Sequence, residues 1–242
     1  MNKIIEDLKD DSKYYGKLGS KYLSNSDIGT LLKDPAKFKV QTEPTSAMRL
    51  GSYFHTLCLE PKKASEFEIV DCSSRNTKLY KEAAASTDGI LLLSKEVEMV
   101  DNMVEALRGN MDLFDLVWGQ EGINEQPGIK TIMGNQWKAK ADRVIDDYVI
   151  DLKTTGDLDG FMWSARKFNY DSQAWIYNQI FGKPMLFIAI EKNTNRLGMF
   201  ECSNDFLEYG KQKVKQATLV FNNFFGTNAI DSIDQYYLKS KL

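Results

Sequence analysis

Residues 137–155 constrain the fold of this chain most strongly. Their sequence is WKAKADRVIDDYVIDLKTT, in which two mostly apolar runs flank the pair Asp146-Asp147. This pattern predicts two short antiparallel strands joined by a tight turn at the aspartate pair. Because side chains alternate between the two faces of a strand, Asp151 and Lys153 are expected to project from the same face.

Asp142 lies on the other arm of the predicted hairpin, nine residues before Asp151, and this spacing can bring the two carboxylates together. Lys153 would then complete a cluster of two carboxylates and one ammonium group on an otherwise apolar sheet. Mg²⁺ prefers oxygen ligands and typically takes one or two carboxylates together with phosphate oxygens of a substrate. A neighbouring lysine can stabilise charge on a phosphate or help to position the attacking water. The cluster therefore predicts metal-assisted phosphate chemistry.

The Asp-x-Lys tripeptide by itself is weak support for such a site. It also occurs at residues 7–9 and 11–13, where nothing in the sequence indicates a function. The upstream Asp142 and the strand context distinguish the copy at residues 151–153. The alternative interpretation is a solvated hairpin with a surface ion pair, which would contribute little to stability.

Further motifs follow one another in a consistent order along residues 22–225. Gly51–Glu60 fit a helix with the pattern G-x-x-x-H-x-x-x-L-E, and Asp151–Thr155 fit D-[LVI]-K-T-T. The other matching residues are Leu23-Ser24, Asp34-Pro35, Glu125, Tyr170, Gln173 and Tyr177. Together these motifs resemble the PD-(D/E)xK nucleases, specifically the exodeoxyribonuclease VIII (RecE-like) branch. The proline of the family's name is replaced by Ala141, ahead of Asp142, which removes a backbone constraint but no ligand.

The resemblance implies an α/β (α+β) fold with a restriction-endonuclease-like core, a central mixed sheet flanked by helices. It also implies that Asp142, Asp151, the Leu152 carbonyl and His55 bind metal, while Lys153 orients the water. Mg²⁺ is the expected cofactor, and Mn²⁺ is expected to substitute for it because imidazole is a better ligand for Mn²⁺. Taken alone, a single histidine at the edge of an apolar helix stripe is more often a hydrogen-bonded, partly buried residue.

The resemblance also implies a carboxylate ahead of the hairpin, for which Glu125 is preferred over Glu121, although either could be a surface charge. Gln173 and Tyr177 lie four residues apart and share one face of a predicted helix. They are expected to position the substrate or the active site, with ordinary helix packing as the alternative.

Lys140, Arg75 and Lys78 are candidates for contacts with DNA, and solvated surface charge is the alternative for all three. Lys140 is included because it shares a strand face with Asp142. The tryptophans are predicted to be core residues, although an exposed one could stack on an unpaired base; they are Trp118, Trp137, Trp163 and Trp175.

The activity implied is that of a Mg²⁺-dependent exodeoxyribonuclease, which resects linear double-stranded DNA in the 5′→3′ direction for phage-type recombination. Double-stranded DNA ends, a single-strand annealing protein and further copies of the chain are the implied partners. The implied location is the cytoplasm of a bacterial host or a phage-infected cell. A structure-selective or nicking endonuclease on the same core, or a non-catalytic DNA-binding recombination protein, are the alternatives.

Composition agrees with a globular protein of 242 residues, 43% hydrophobic and 27% charged, long enough for one sizeable core. The apolar run Met185–Ile190 is too short to cross a membrane, and the charged N-terminus has no signal-peptide core. Three scattered cysteines predict reduced thiols and argue against nucleases with a four-cysteine cluster. The net charge of −3 opposes tight non-specific binding to DNA, unless metal bridges an acidic site to phosphate.

The predicted organisation is one nuclease domain at residues 22–242 after an N-terminal arm at residues 1–21, which could be loose. Capping residues, apolar periodicity and glycine or proline stops predict helices at 24–33, 46–60, 76–86, 94–108 and 171–181, and from 203 or 204 onward. Strands are predicted at 67–71, 185–191 and 197–202, the last two as a hairpin around residues 193–195.

Overall fold

The computed structural model describes residues 3–40, 42–87 and 89–237. Its strands are β1 (Phe67–Val70), β2 (Ile90–Leu93), β3 (Gly122–Ile132), β4 (Asn135–Ile145), β5 (Val149–Thr155), β6 (Met185–Glu191) and β7 (Leu197–Glu201). Its α-helices are α1 (Lys3–Asp7), α2 (Asp11–Tyr15), α3 (Asn25–Lys33), α4 (Ser46–Leu59), α5 (Lys78–Ser86), α6 (Ser94–Gly109), α7 (Met111–Phe114), α8 (Phe161–Lys167), α9 (Tyr170–Phe181) and α10 (Asn204–Phe224). No helix in these ranges is long and apolar enough to cross a membrane.

The central sheet has the strand order β3-β4-β5-β6-β7 and is mixed. β5 and β6 run parallel, whereas the other neighbouring pairs are antiparallel. The parallel pair requires a crossover, which α8 and α9 supply between the two strands. β1 and β2 form a separate parallel pair, with α5 as its crossover.

Helices cover both faces of the central sheet. In β5, Val149 belongs to a core cluster with Ile176 of α9 and Val214 of α10, whereas the next residue, Ile150, packs in a second cluster with Phe54 of α4. Neighbouring strand residues point to opposite faces, so each cluster lies on its own side of the sheet. The predicted mixed sheet flanked by helices is thus confirmed.

The predicted elements are confirmed, with small shifts at their ends. The hairpin exists, and its strands pair Val144 with Val149 across the aspartate turn. The helix predicted to be capped by Ser94 instead uses Leu93, whose amide donates to the carboxylate of Glu96 at 2.9 Å.

The N-terminal residues 3–21 pack against the domain, so the expectation of a loose arm is wrong. Leu8 is fully buried and Tyr14 is 7% exposed. The ammonium group of Lys138 lies 4.0 Å from the centre of the Tyr14 ring and donates to the Tyr14 carbonyl. An aromatic ring and a carbonyl can both stabilise a buried ammonium group, which single-sequence periodicity does not reveal.

The long helix α10 packs closely on α9 at Gly210. A Cβ atom added at this glycine would lie 2.0 Å from the backbone oxygen of Asp171. Since that neighbour is backbone, it cannot move aside as a flexible side chain can. The close packing of α10 on α9 therefore depends on a glycine at this position.

We expect Gly210→Ala to lower the free energy of unfolding by about 1–3 kcal/mol, because the added methyl group forces α10 away from α9. Urea unfolding followed by circular dichroism measures the change. Gly109→Ala is the matched control, since a Cβ atom there meets nothing within 4 Å. The control should be neutral or slightly stabilising, because alanine favours helix over glycine. Equal stabilities of the two variants would contradict this account of the packing.

Candidate active site

The site begins where the ladder between β4 and β5 ends. The strands pair Arg143 with Ile150, and beyond this pair the amide of Leu152 donates to Asp142 Oδ2 at 2.7 Å. The carboxylate of Asp142 thus accepts a backbone hydrogen bond at the neighbouring strand. Burial raises the pKa of Asp142 to about 6, and the charge of Asp151 adds to the shift against the opposing effect of His55.

Asp151 and Lys153 form an ion pair on β5, with 2.5 Å between Lys153 Nζ and Asp151 Oδ2. Asp151 is 2% exposed, and the side chain of Gln173 on α9 donates to its Oδ1. The Lys153 ammonium lies 4.5 Å from the centre of the Tyr170 ring. Burial acts to lower the pKa of Lys153, but the negative charge of Asp151 raises it above its usual value. Lys153 therefore carries its positive charge inside the site.

His55 projects from α4 toward the same strands. Its Nε2 lies 2.7 Å from the carbonyl oxygen of Leu152, and its Nδ1 lies 3.5 Å from Asp142 Oδ2. Since a carbonyl only accepts, Nε2 is the donor in this contact. The ring must release this hydrogen bond before Nε2 can bind metal. The structure thus brings His55, Leu152 and Asp142 together, and the metal-binding role of His55 stays a prediction.

Glu125 lies on β3 opposite Asp142. Its neighbours Asn124 and Gln126 pair with Arg143 and Ala141, and its own φ of 50° is in the left-handed region. Burial raises the pKa of Glu125 to about 8, and the charge of Asp142 contributes to the shift. Glu121 is exposed and precedes β3. Of the two candidates for the carboxylate ahead of the hairpin, Glu125 is the one beside Asp142.

His55, Glu125 and Lys153 line a cleft of about 1030 Å³, and Asp142 and Asp151 lie behind them in contact with His55 and Lys153. Its walls come from the N-terminal segment, α4, β5 and α8. The charged residues and the histidine that line it are Asp11, His55, Glu60, Glu125, Lys153, Asp157 and Lys192. The carboxylates that line the cleft outnumber its lysines, so the cleft is acidic when no cation is bound.

Asp11 is a site residue that the sequence analysis missed. Its carboxylate pairs with the ammonium of Lys140, and it accepts from Lys63 Nζ at 3.2 Å. Lys63 also donates to Glu60 at 2.9 Å. Nothing in the sequence distinguishes the Asp11-x-Lys13 tripeptide from a chance occurrence, and no motif predicts that the N-terminal segment packs against the sheet.

All three lysine and arginine candidates for DNA contacts form ion pairs. Lys140 is 8% exposed, so its description as a solvated surface charge is wrong. Asp11 neutralises it in this arrangement. Arg75 forms a two-pronged ion pair with Glu96, with both distances 2.8 Å. Lys78 is highly exposed and lies 3.5 Å from Glu82 Oε1, and neither Lys78 nor Arg75 lines the cleft.

Gln173 and Tyr177 lie behind the site and do not line the cleft. Gln173 donates a hydrogen bond to the carboxylate of Asp151 and thereby orients it. The Tyr177 hydroxyl donates to the backbone carbonyl of Lys140 at 2.9 Å and is buried. Both residues therefore position strands β4 and β5. In this arrangement neither one is placed to contact a substrate in the cleft.

Comparison with known proteins identifies the family of this chain. A family model described as a PDDEXK-like domain of unknown function (DUF3799) matches residues 30–225. The chain belongs to this family. The resemblance to PD-(D/E)xK nucleases is thereby confirmed, and the match includes the cleft residues except Asp11 and Tyr15. No curated protein has a similar sequence.

Solved structures support the fold of the PDDEXK-like domain. A candidate exonuclease from Eubacterium rectale superimposes with a TM-score of 0.62 and 15% identity, covering 96% of this chain and 95% of that chain. An alkaline exonuclease from Laribacter hongkongensis matches with a TM-score of 0.33 and 12% identity, covering 82% of this chain and 87% of that one. At these identities the first likeness establishes the shared fold, and the second carries no further weight.

The donor atoms of the PDDEXK-like site suit a hard cation in chemical type. Two carboxylates and the Leu152 carbonyl are oxygen donors, and the buried Asp151 Oδ2 contacts only the ammonium group of Lys153 among the described residues. Among the described residues, no group of three or more His, Cys, Asp or Glu side chains is placed to hold a metal. A metal here would therefore need the backbone carbonyl or rearrangement of a side chain such as His55.

We expect Glu125→Gln to stabilise the PDDEXK-like domain increasingly as pH rises from about 4.5 to about 8. The pKa of Glu125 is raised by folding, so the folded state holds the proton more tightly and wild-type stability falls as pH rises through this window. Glutamine cannot ionise, so the variant avoids this loss. At pH 9 its free energy of unfolding should exceed that of wild type by about 2 kcal/mol, since each unit of raised pKa is worth about 1.4 kcal/mol and local relaxation reduces the sum.

Unfolding in EDTA at several pH values provides the measurement. Glu121→Gln is the control, because Glu121 is exposed and should change stability equally at all pH values. A pH-independent effect of Glu125→Gln would show that the carboxylate is not buried beside Asp142.

Proposed function

We propose that this chain is a Mg²⁺-dependent deoxyribonuclease that digests linear double-stranded DNA from its ends. The observation that carries the proposal is the grouping of Asp142, Asp151 and Lys153 beside an open cleft in a PDDEXK-like domain. The name of the superimposed Eubacterium rectale protein, a candidate exonuclease, supports action at DNA ends.

Asp142, Asp151 and the Leu152 carbonyl would hold the metal, with His55 as a further ligand once it releases that carbonyl. Bound Mg²⁺ would polarise the scissile phosphate and lower the pKa of a nearby water. Lys153 supplies a fixed positive charge and hydrogen-bond donors for the phosphate or the attacking water. Gln173 keeps the Asp151 carboxylate in a single orientation, which limits reorganisation during the reaction.

The acidic cleft explains how the site could use a metal for binding as well as for chemistry. Without a cation, the carboxylates that line the cleft would repel a phosphate. Mg²⁺ would reverse the local charge, so DNA affinity should depend on the metal. A homo-oligomer that surrounds the duplex would add cations from several copies, which fits a chain with a net charge of −3.

The finer features of the proposal rest on the sequence motifs. They are 5′→3′ polarity, a function in phage-type recombination, assembly into a homo-oligomer and cooperation with a single-strand annealing protein. The motifs that support them are those of α4, β5 and α9, where Gly51–Glu60, Asp151–Thr155 and Tyr170–Tyr177 follow the RecE-like order.

Lys153→Ala and Asp151→Asn should each lower the rate of DNA cleavage by about 10²–10³, because each removes a charge that acts on the reacting phosphate or its metal. Gel assays on end-labelled duplex in Mg²⁺ measure the rates, and circular dichroism checks folding. Lys9→Ala is the control, since Lys9 belongs to an Asp-x-Lys copy on the protein surface, where it pairs with Glu6. Wild-type rates in both folded site variants would reject the assignment.

Cleavage should require both a DNA end and a divalent metal. Linear duplex should be digested in Mg²⁺ or Mn²⁺, whereas covalently closed circles and EDTA-treated reactions should remain intact. The same circle after cutting with a restriction enzyme is the matched substrate control, because it changes topology and keeps the sequence. Rapid cleavage of closed circles would favour the endonuclease, and cleavage in EDTA would remove the metal from the mechanism.

A further inference from the structure

Helix α8 presents an unusual surface next to the cleft. Three apolar side chains on it are largely exposed: Met162 (65%), Trp163 (74%) and Phe168 (56%), the last immediately after the helix. Arg166 and Lys167 follow Met162 and Trp163 by one turn and are also exposed. We refer to these five residues as the α8 surface. Trp163 was predicted to be a core residue, and that prediction is wrong.

The cations of the α8 surface are available to a negatively charged partner. Within the described residues, no carboxylate forms an ion pair with Arg166 or Lys167. The guanidinium of Arg166 lies 5.0 Å from the centre of the Tyr209 ring, and the ammonium of Lys167 lies 5.7 Å from that of Phe168. Contacts of this kind orient a cation beside an aromatic face and leave its donors free for phosphate.

The α8 surface is continuous with the catalytic cleft. Phe168 belongs to both, and Phe161 and Ser164 on the inner side of the same helix line the cleft. On its other side, Trp163 and Arg166 border a cavity of about 330 Å³, walled mainly by apolar residues, several of them aromatic. Glu201 is the one carboxylate among the residues described as lining that cavity. A strand leaving the cleft could therefore pass directly onto the α8 surface.

We propose that the α8 surface binds an unpaired DNA strand beside the active site. Bases would stack on Trp163 and Phe168, while the backbone phosphates would pair with Arg166 and Lys167. Stacking on aromatic side chains suits unpaired bases, because a base inside a duplex has no free face. The inference rests on the proposed nuclease activity, in which digestion from an end leaves one strand unpaired, and it identifies where that strand lies.

The charge distribution favours nucleic acid over a second copy of this chain. A two-fold contact between α8 surfaces would bring Arg166 and Lys167 of both copies into one interface, with no carboxylate of the α8 surface to pair with them. Repulsion between those like charges would oppose the apolar contact. A polyanion pairs with the same cations favourably, and its bases supply the partners for the exposed aromatic rings.

Binding of two fluorescent DNA probes with Ca²⁺ in place of Mg²⁺ tests the inference, because Ca²⁺ also takes oxygen ligands, and gel electrophoresis checks that both probes stay intact. One probe is a blunt duplex, and the other carries a single-stranded oligothymidine 3′ tail. Wild type should bind the tailed probe more tightly. Trp163→Ala should weaken tailed binding about tenfold, as expected for the loss of base stacking, and should change blunt binding less than twofold. Arg166→Ala with Lys167→Ala should lower the salt dependence of tailed binding by about 1.4 in slope, about 0.7 per phosphate contact.

Tyr237→Ala and Lys33→Ala serve as controls, since both residues are exposed and lie elsewhere. Tyr237 follows Tyr236, whose ring contacts Phe224 at the C-terminal end of α10. Phe224 lies about 22 Å along that helix from Tyr209, which Arg166 of α8 contacts. Both controls should keep the wild-type preference for the tailed probe.

Three results would overturn the inference: no tail preference in wild type, equal losses on both probes in Trp163→Ala, or an altered oligomeric state of that variant by light scattering. The last would assign the α8 surface to contacts between copies. Cleavage by the same wild-type preparation separates this inference from the proposed function. Normal cleavage with no tail preference rejects the α8 site alone, whereas a tail preference without cleavage rejects the nuclease and keeps the DNA site.

Discussion

The hydrogen bond from the Leu152 amide to the Asp142 carboxylate is the contact on which the site depends. It replaces a backbone acceptor with a side chain at the point where the paired residues of β4 and β5 end. A buried amide needs an acceptor, so Asp142 is held against the neighbouring strand. The same bond fixes the backbone of Leu152, which lies between Asp151 and Lys153 in the Asp-x-Lys motif. The carbonyl of Leu152 faces His55. One local interaction therefore sets the positions of atoms from both arms of the hairpin and from α4.

This arrangement brings several ionisable side chains close together in a buried part of the protein. Burial raises the pKa of Asp142 to about 6 and that of Glu125 to about 8, so each carboxylate resists ionisation in the absence of a cation. Lys153 and Gln173 compensate Asp151 directly, while Asp11 of the N-terminal segment compensates Lys140. Such a cluster costs stability and is consistent with the proposed binding of a positive ion, because function often requires an arrangement that is not the most stable one.

The crossover between β5 and β6 connects the site to the surface of the molecule. The parallel pairing of these strands requires a long connection, and α8 is its first helix after the Asp-x-Lys motif. One side of α8 therefore lines the cleft, and the other presents Trp163 and Arg166 to solvent. The chain order that places the candidate catalytic residues Asp151 and Lys153 in β5 also places an aromatic and basic surface next to them.

The sequence by itself determined the hairpin, the shared face of Asp151 and Lys153, the main helices and the family resemblance, because these depend on local periodicity and on motifs within short segments. It also contained the residues of α4 that meet the hairpin, as a motif of the resembled family. Only the tertiary structure decided that the N-terminal segment packs on the sheet, that Asp11 neutralises Lys140, that Tyr177 supports β4 from behind, and that Trp163 is exposed. These features depend on contacts between segments far apart in the chain, and such contacts leave no periodic signal in a single sequence.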